Sequence, residues 1–225
     1  MKKSILVIIF LSLTSLLSGQ VYEIGLTIGG TNYVGDIGST NYIKPNKFAG
    51  GVFFKYNYHP RFALKATYSY LPITATDLDA DTDFRRDRGL TFSNTINELA
   101  LGLEYNFYEY DLSTPGKTWT PYILLEIAAF SSSYISSETA PGEYVYNSKV
   151  AFNVPFGVGF KSQLFSNLAF SLEAKFRYTF EDDLDYTTST ISDLNFEGTG
   201  NDWYMFTGFS LIYTFGRPAC YTKGF

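Results

Sequence analysis

The chain has 225 residues, of which 19% are aromatic and only 17% charged, with a net charge of −5. That is too little charge for an ordinary soluble domain and the wrong sign for a nucleic-acid partner. Past residue 20 no apolar run is long enough to cross a bilayer as a helix, which excludes a helical membrane protein, and the lone Cys220 excludes an internal disulfide.

The N-terminus reads as a secretory signal. Lys2 and Lys3 form a short basic region, residues 4–17 are mostly apolar, and Ser18-Gly19 offers small residues for cleavage before Gln20. Residues 1–19 are therefore expected to be removed, which takes the net charge from −5 to −7 and leaves about 206 residues, enough for one all-β domain. No cysteine lies near the cleavage site, so a lipid anchor is not expected. The thiol of Cys220 is read first as a small buried apolar group.

Eight segments then alternate large apolar residues with small or charged ones, the signature of strands with one greasy and one wet face. In residues 22–30, Tyr22, Ile24, Leu26 and Ile28 oppose Glu23, Gly25, Thr27 and Gly29. In 48–58, Val52, Phe54, Tyr56 and Tyr58 oppose Gly51, Phe53, Lys55 and Asn57; in 62–70, Phe62, Leu64, Tyr68 and Tyr70 oppose Lys65, Thr67 and Ser69. Residues 97–107 set Leu99, Leu101, Leu103, Tyr105 and Phe107 against Glu98, Gly102, Glu104 and Asn106. Residues 122–130 are less regular, with Leu124 beside Glu126 on the wet face. The pattern returns in 149–160, where Pro155 predicts a local bulge. It is cleanest in 168–180, where Leu168, Phe170, Leu172, Phe176, Tyr178 and Phe180 alternate with Ser171, Glu173, Lys175, Arg177 and Thr179. The last strand, 203–215, places Trp203, Met205, Phe209, Leu211, Tyr213 and Phe215 on the greasy face.

The connections alternate in length. Residues 59–61 and 165–167 are tight turns, whereas 31–47, 71–93, 131–148 and 181–202 read as long polar loops. The linker 108–120, with Pro115-Gly116, is longer than a minimal turn. Short turns on one side and long loops on the other mark outer-membrane barrels. Eight strands leave an interior wide enough only for their own side chains, and this many Phe and Tyr residues would overfill it. The wet face is instead rich in Gly, Ala, Ser and Thr, which suits a crowded lumen. The fold expected is thus an eight-stranded antiparallel transmembrane β-barrel (residues 20–215) of the outer membrane of a Gram-negative bacterium. The greasy face meets lipid, both termini are periplasmic, and residues 216–225 form a periplasmic tail.

Inside this barrel the wet face carries Glu23, Glu98, Glu104, Glu126 and Glu173 with Lys55, Lys65, Lys149, Lys161, Lys175 and Arg177. Near-balanced charge in a narrow lumen predicts a paired ionic plug and no appreciable ion conductance. Catalysis is not expected: the single histidine, His59, sits in a tight turn beside Pro60, so no Ser/His/Asp set can be assembled. Asp77, Asp79, Asp81 and Asp83 superficially suggest calcium, but the sixth and twelfth positions are Thr82 and Arg88 rather than Gly and Glu. No metal or cofactor is expected.

Two segments stand out from generic loops. One is Gly29-Gly30-Thr31-Asn32-Tyr33 followed by Gly35-Asp36-Ile37-Gly38; the other is the tail Arg217-Pro218-Ala219-Cys220-Tyr221. Together with the signal and the barrel pattern they resemble the PorG-like outer-membrane proteins of the type IX secretion system. That resemblance implies a non-enzymatic anchor or assembly component that docks a periplasmic ring formed by a lipoprotein and its partner. The system exports proteins with a dedicated C-terminal signal and in some bacteria supports gliding motility. On this reading Arg217, Cys220 and Tyr221, with Tyr33 and Asp36, are the candidate partner contacts. The alternative is a general small surface barrel whose outer loops bind a ligand or another cell.

Overall fold

A computed structural model describes residues 21–111, 118–140, 142–165, 167–188, 191, 194 and 200–216. The expected signal peptide, Pro115-Gly116 and the tail residues Arg217, Cys220 and Tyr221 lie outside the described residues. Eight strands run in chain order: β1 Val21–Val34, β2 Lys47–His59, β3 Phe62–Thr76, β4 Thr91–Asn106, β5 Trp119–Ala140, β6 Glu143–Phe165, β7 Leu168–Thr179 and β8 Trp203–Phe215. Each pairs antiparallel with its sequence neighbour, and β1 pairs with β8 from Tyr22↔Phe215 to Val34↔Trp203, closing the barrel. Strand beginnings and ends therefore gather at two rims. The rim that holds Tyr22, Phe215 and the tight turns is the turn end; the opposite one is the loop end.

Alternation sorts the side chains as the sequence predicts. Leu26, Leu101, Ile127 and Leu172 point outward and stay exposed, while Glu23, Lys55, Glu104 and Lys161 point inward and are 0% exposed. The inversion of a normal core, apolar out and ionic in, is stable only where the surroundings are hydrocarbon. Aromatic rings ladder around the turn end: Tyr22 stacks on Tyr56 (5.7 Å) and Phe215 (5.7 Å), Phe62 lies against Tyr105 (5.1 Å), and Trp119 lies against Phe160 (5.8 Å). At the loop end Tyr178 packs on Phe180 and Trp203.

The strands outrun their predicted ends, and the reason is instructive. In β3, through Tyr70, the outward residues Phe62, Leu64, Tyr68 and Tyr70 are apolar or aromatic and the inward Lys65, Thr67 and Ser69 are polar. Beyond Tyr70 the polarity swaps: Leu71, Ile73 and Ala75 are buried inside, and Pro72, Thr74 and Thr76 face out. The paired half of β4 mirrors this, with Phe92 and Ile96 inside and Thr91, Ser93 and Thr95 outside. The barrel thus turns into an ordinary water-soluble one above Tyr70. The band below it, Phe62–Tyr70, matches the ~9–11 residues a strand needs to cross a bilayer. The segments expected as polar loops 71–93 and 131–148 are accordingly strand for much of their length. A turn of 3₁₀ helix at Asp77–Asp79 and a short helix, α1 (Asp83–Arg88), cap the β3–β4 hairpin. The β5–β6 ladder continues to Ala140↔Glu143, past the last β4 pair (Asn97↔Ser131) and the last β7 pair (Asn153↔Thr179).

Two further expectations need correction. Pro155 causes no bulge: it sits opposite Arg177 in unbroken register, and the shifts in β5–β6 fall instead between Ile135 and Ser137 and between Glu138 and Ala140. Met205, expected on the exposed greasy face, is 1% exposed, its Sδ approached by Asn32 Nδ2 at 3.8 Å. The loop after β1 covers that part of the wall.

Candidate functional site

The interior has two storeys. The lower storey, at the turn end and middle, is ionic. Lys55 pairs with Glu104 (2.7 Å) and more distantly with Glu23 (3.6 Å), and Lys161 pairs with the other oxygen of Glu104 (2.6 Å). One level up, Glu173 accepts from Lys65 (2.7 Å) and from the Tyr122 hydroxyl (2.9 Å), and Lys175 bridges Glu173 (3.4 Å) and Glu126 (2.8 Å). Above that, Glu98 accepts from Arg177 Nε (2.9 Å), Tyr204 (2.7 Å) and Asn153 (3.0 Å). Five carboxylates face five cations on the described wall, none more than 7% exposed. Buried charges persist only when paired in this way.

Glycines and rings make room for these groups. Gly25 exists where a Cβ would come within 2.2 Å of the Phe53 ring, and Gly159 where one would strike Tyr122 at 2.3 Å. Both Lys55 (5.0 Å) and Lys65 (4.8 Å) in turn bring their ammonium groups over the Phe53 ring, whose electron-rich face attracts each.

Lys149 departs from its expected role. It lies at the loop end of β6, part-exposed, and binds Glu181 and Asp183 (2.7 Å) in the β7–β8 connection rather than the lumen network. Ten of the eleven residues proposed for the network are therefore brought together, and removing Lys149 leaves that network neutral.

Both mouths are covered. At the turn end the first residues of the linker, 108–111, fold under the barrel: the Tyr110 N–H donates to Pro60 O (3.0 Å), and Lys161 Nζ stands 4.2 Å from the centre of the buried Tyr110 ring. At the loop end the upper storey is apolar, built from Ile37, Leu71, Ile73, Phe92, Ile96, Phe130, Leu184 and Phe206. Ile37 from the segment after β1 and Leu184 from that after β7 fold into it. The Tyr33 hydroxyl reaches Asp185 Oδ2 (2.9 Å) and is also hydrogen-bonded to Asp202, while the other Asp202 oxygen accepts the Leu184 N–H (2.9 Å). Burial, reinforced by Asp185, pushes the Asp202 carboxyl up to about 8. Tyr33 is 3% exposed and thus part of this cap; Asp36, half-buried beside it, is raised by burial and by Asp185. Sequence reasoning missed this cluster, although Leu71, Ile73 and Ala75 alternate in phase with the strand before them.

Asp77 is consumed structurally. Its carboxylate accepts from Arg88 Nε (2.7 Å) and from the N–H groups of Gly38 (2.9 Å) and Leu90 (3.1 Å). Burial opposes its charge, but Arg88 and these donors hold it below the usual carboxylate range. His59 sits exposed in its turn, Nδ1 accepting the Arg61 N–H (3.1 Å).

Among families, a domain of unknown function, DUF6089, matches residues 2–224. The chain belongs to the DUF6089 family. No curated protein matches its sequence. Among solved structures, Neisserial surface protein A matches at 8% identity and TM-score 0.53, covering 86% of this chain and 97% of that one. The N-terminal barrel of OprF from Pseudomonas aeruginosa matches at 15% identity (TM-score 0.48, 88% and 98%), and OprG from the same organism at 11% (0.49, 88% and 97%). At such identities the likeness concerns fold: this DUF6089 chain has the architecture of a small eight-stranded outer-membrane barrel.

Proposed function

We propose that the DUF6089 chain resides in the outer membrane and serves there as a non-enzymatic anchor or assembly component of the type IX secretion machinery. The observation that carries this reading is the doubly covered, charge-paired interior. A lumen filled by side chains leaves no conduit, so the barrel's work is done at its rims. The resemblance of Gly29–Gly38 and of the tail 217–221 to PorG-like proteins supplies the partner: a periplasmic ring of a lipoprotein and a second protein. Because Tyr33 and Asp36 are engaged in the loop-end cap, docking falls to Arg217, Cys220 and Tyr221. Deleting residues 217–225 should reduce co-purification of the ring proteins and secretion of cargo, with the folded barrel still present in outer-membrane fractions. Unchanged recovery of the ring would discard this role.

A second reading, a general small surface barrel, is favoured by the raised β5–β6 hairpin and the structured cap of the β3–β4 hairpin, both at the loop end. In that case deletion of the whole gene leaves secretion intact and alters surface binding.

A further inference from the structure

The barrel wall has a notch above Lys47, where β2 begins. β1 continues to Val34, and β3 continues to Thr76, well past Tyr70, the last residue it pairs with β2. Residues 39–46 fold back over the notch. The Asn46 backbone N–H donates to Thr31 O (2.9 Å), and its side-chain amide donates to Thr74 O (3.0 Å). Beneath this segment lies a cavity of about 240 Å³, walled by Asn32, Asn41, Asn46, Thr74, Thr76 and Thr91 over the apolar ground of Tyr33 and Ala75.

The lining chemistry is selective. Its polar groups are amides and hydroxyls; the charged lining residues, Lys44 and Asp79, lie 3.6 Å apart and cancel. Asn32 carries the sharpest information. It is 3% exposed, and its Nδ2 is held by the carbonyls of Asn41 (3.1 Å) and Tyr42 (3.2 Å), yet its Oδ1 has no hydrogen-bond partner. The cavity wall thus carries one amide acceptor that the protein itself leaves uncommitted. The volume falls just below the ~300–1,000 Å³ of pockets for drug-sized molecules, which limits the occupant to about one ring. Either a strong anion or a strong cation would meet a like charge at the Lys44–Asp79 rim. A flat ring with hydroxyls on its edge and C–H groups on its face satisfies all of these walls.

We propose that this notch binds a single neutral saccharide ring, as presented at the end of a glycan. The inference rests on the notch alone and does not depend on the secretion reading.

The test is saturation-transfer NMR on the barrel in nanodiscs prepared without glycoside detergents. The probes are the methyl glycosides of glucose, galactose, mannose and N-acetylglucosamine, with a sulfated disaccharide as comparison. The expected result is transfer to the ring protons of at least one neutral glycoside. Binding should weaken roughly tenfold in Asn32→Ala and in the rim variant Thr76→Val/Thr91→Val, each having lost one or more hydrogen bonds. Heat-dependent gel mobility reports whether each variant is folded; if Asn32→Ala is not, the rim variant decides. Transfer to none of the neutral probes overturns the proposal. So does equal transfer in wild type and rim variant, or transfer confined to the sulfated sugar and abolished by salt.

Discussion

The hydroxyl of Tyr33, near the end of β1, stands 2.9 Å from Oδ2 of Asp185 in the β7–β8 connection, 152 residues later. The same hydroxyl is hydrogen-bonded to Asp202, and one phenolic proton cannot serve two carboxylates. A second proton, carried by Asp202, satisfies both contacts, and burial and Asp185 push that carboxyl up to about 8. Asp36, Asp182 and Asp183 add negative charge around the cluster; Arg85 and Arg88 offset it near Asp36, and Lys149 near Asp183.

A pH dependence follows. An acid raised in the folded state binds more protons there than in the unfolded chain between pH about 4 and about 8, so stability of the cap falls as pH rises through that window. Hydrogen exchange, corrected for intrinsic rate, should show the Leu184 and Thr187 amides losing protection across it. Asp202→Asn keeps an acceptor for Leu184 and supplies a permanent donor to Tyr33, and should flatten the dependence. A variant as pH-sensitive as wild type would place the proton elsewhere.

The Arg177–Glu98 pair, with Nε 2.9 Å from each carboxylate oxygen, is sealed from solvent. Arg177→Met leaves Glu98 buried without its cation and should cost about 3–5 kcal/mol in urea-dependent unfolding. Arg177→Met/Glu98→Leu should recover most of that loss, because the apolar pair removes both desolvation penalties. Equal losses in the single and double variants would mean that packing, not charge, dominates.

Gly25 and Phe53 are neighbours across β1–β2, and the ring occupies the space a Cβ would take. Gly25→Leu alone should destabilise by ~1–3 kcal/mol or block folding. Adding Phe53→Ala should restore heat-dependent gel mobility, at some remaining cost because Lys55 and Lys65 lose the ring they both approach. Failure of the pair to restore folding would mean that the ring, rather than the space, is required.

The polarity swap at Tyr70 predicts a depth profile. Leu101→Arg, midway along the greasy band of β4, should cost about 2–4 kcal/mol in unfolding from lipid vesicles. Thr95→Arg lies on the same outward face but above the swap, and should cost roughly 0–1 kcal/mol. Equal costs at both positions would remove the swap as a marker of the hydrocarbon edge.

These relationships also explain what was legible in the sequence. The bilayer-crossing part of each strand was, because lipid outside and ions inside force strict alternation, as in Leu99, Leu101 and Leu103 against Glu98 and Glu104. The upper parts were not. In 71–76 and 91–96 the strand period persists, but the greasy residues move to the inner face, so a search for outward-facing hydrocarbon reads them as loop. The inward charges of ten of the eleven network residues followed from parity alone. Lys149 shares that parity but lies above the swap, where the interior is apolar, and it finds its carboxylates in the β7–β8 connection. The Tyr33–Asp185–Asp202 cluster joins residues far apart in the chain, and no local spacing encodes it.

Tyr22 stacks on Phe215 at 5.7 Å because the cylinder is fastened where its first strand meets its last. That seam joins residues at opposite extremes of the polypeptide and cannot form until the final strand has been delivered. Every shorter intermediate therefore carries two raw edges of unsatisfied amides, which tolerate neither lipid nor free encounter with a second copy. Assembly is consequently an all-or-nothing event for this chain, and shielding both edges until Phe215 arrives is a demand its handlers must meet.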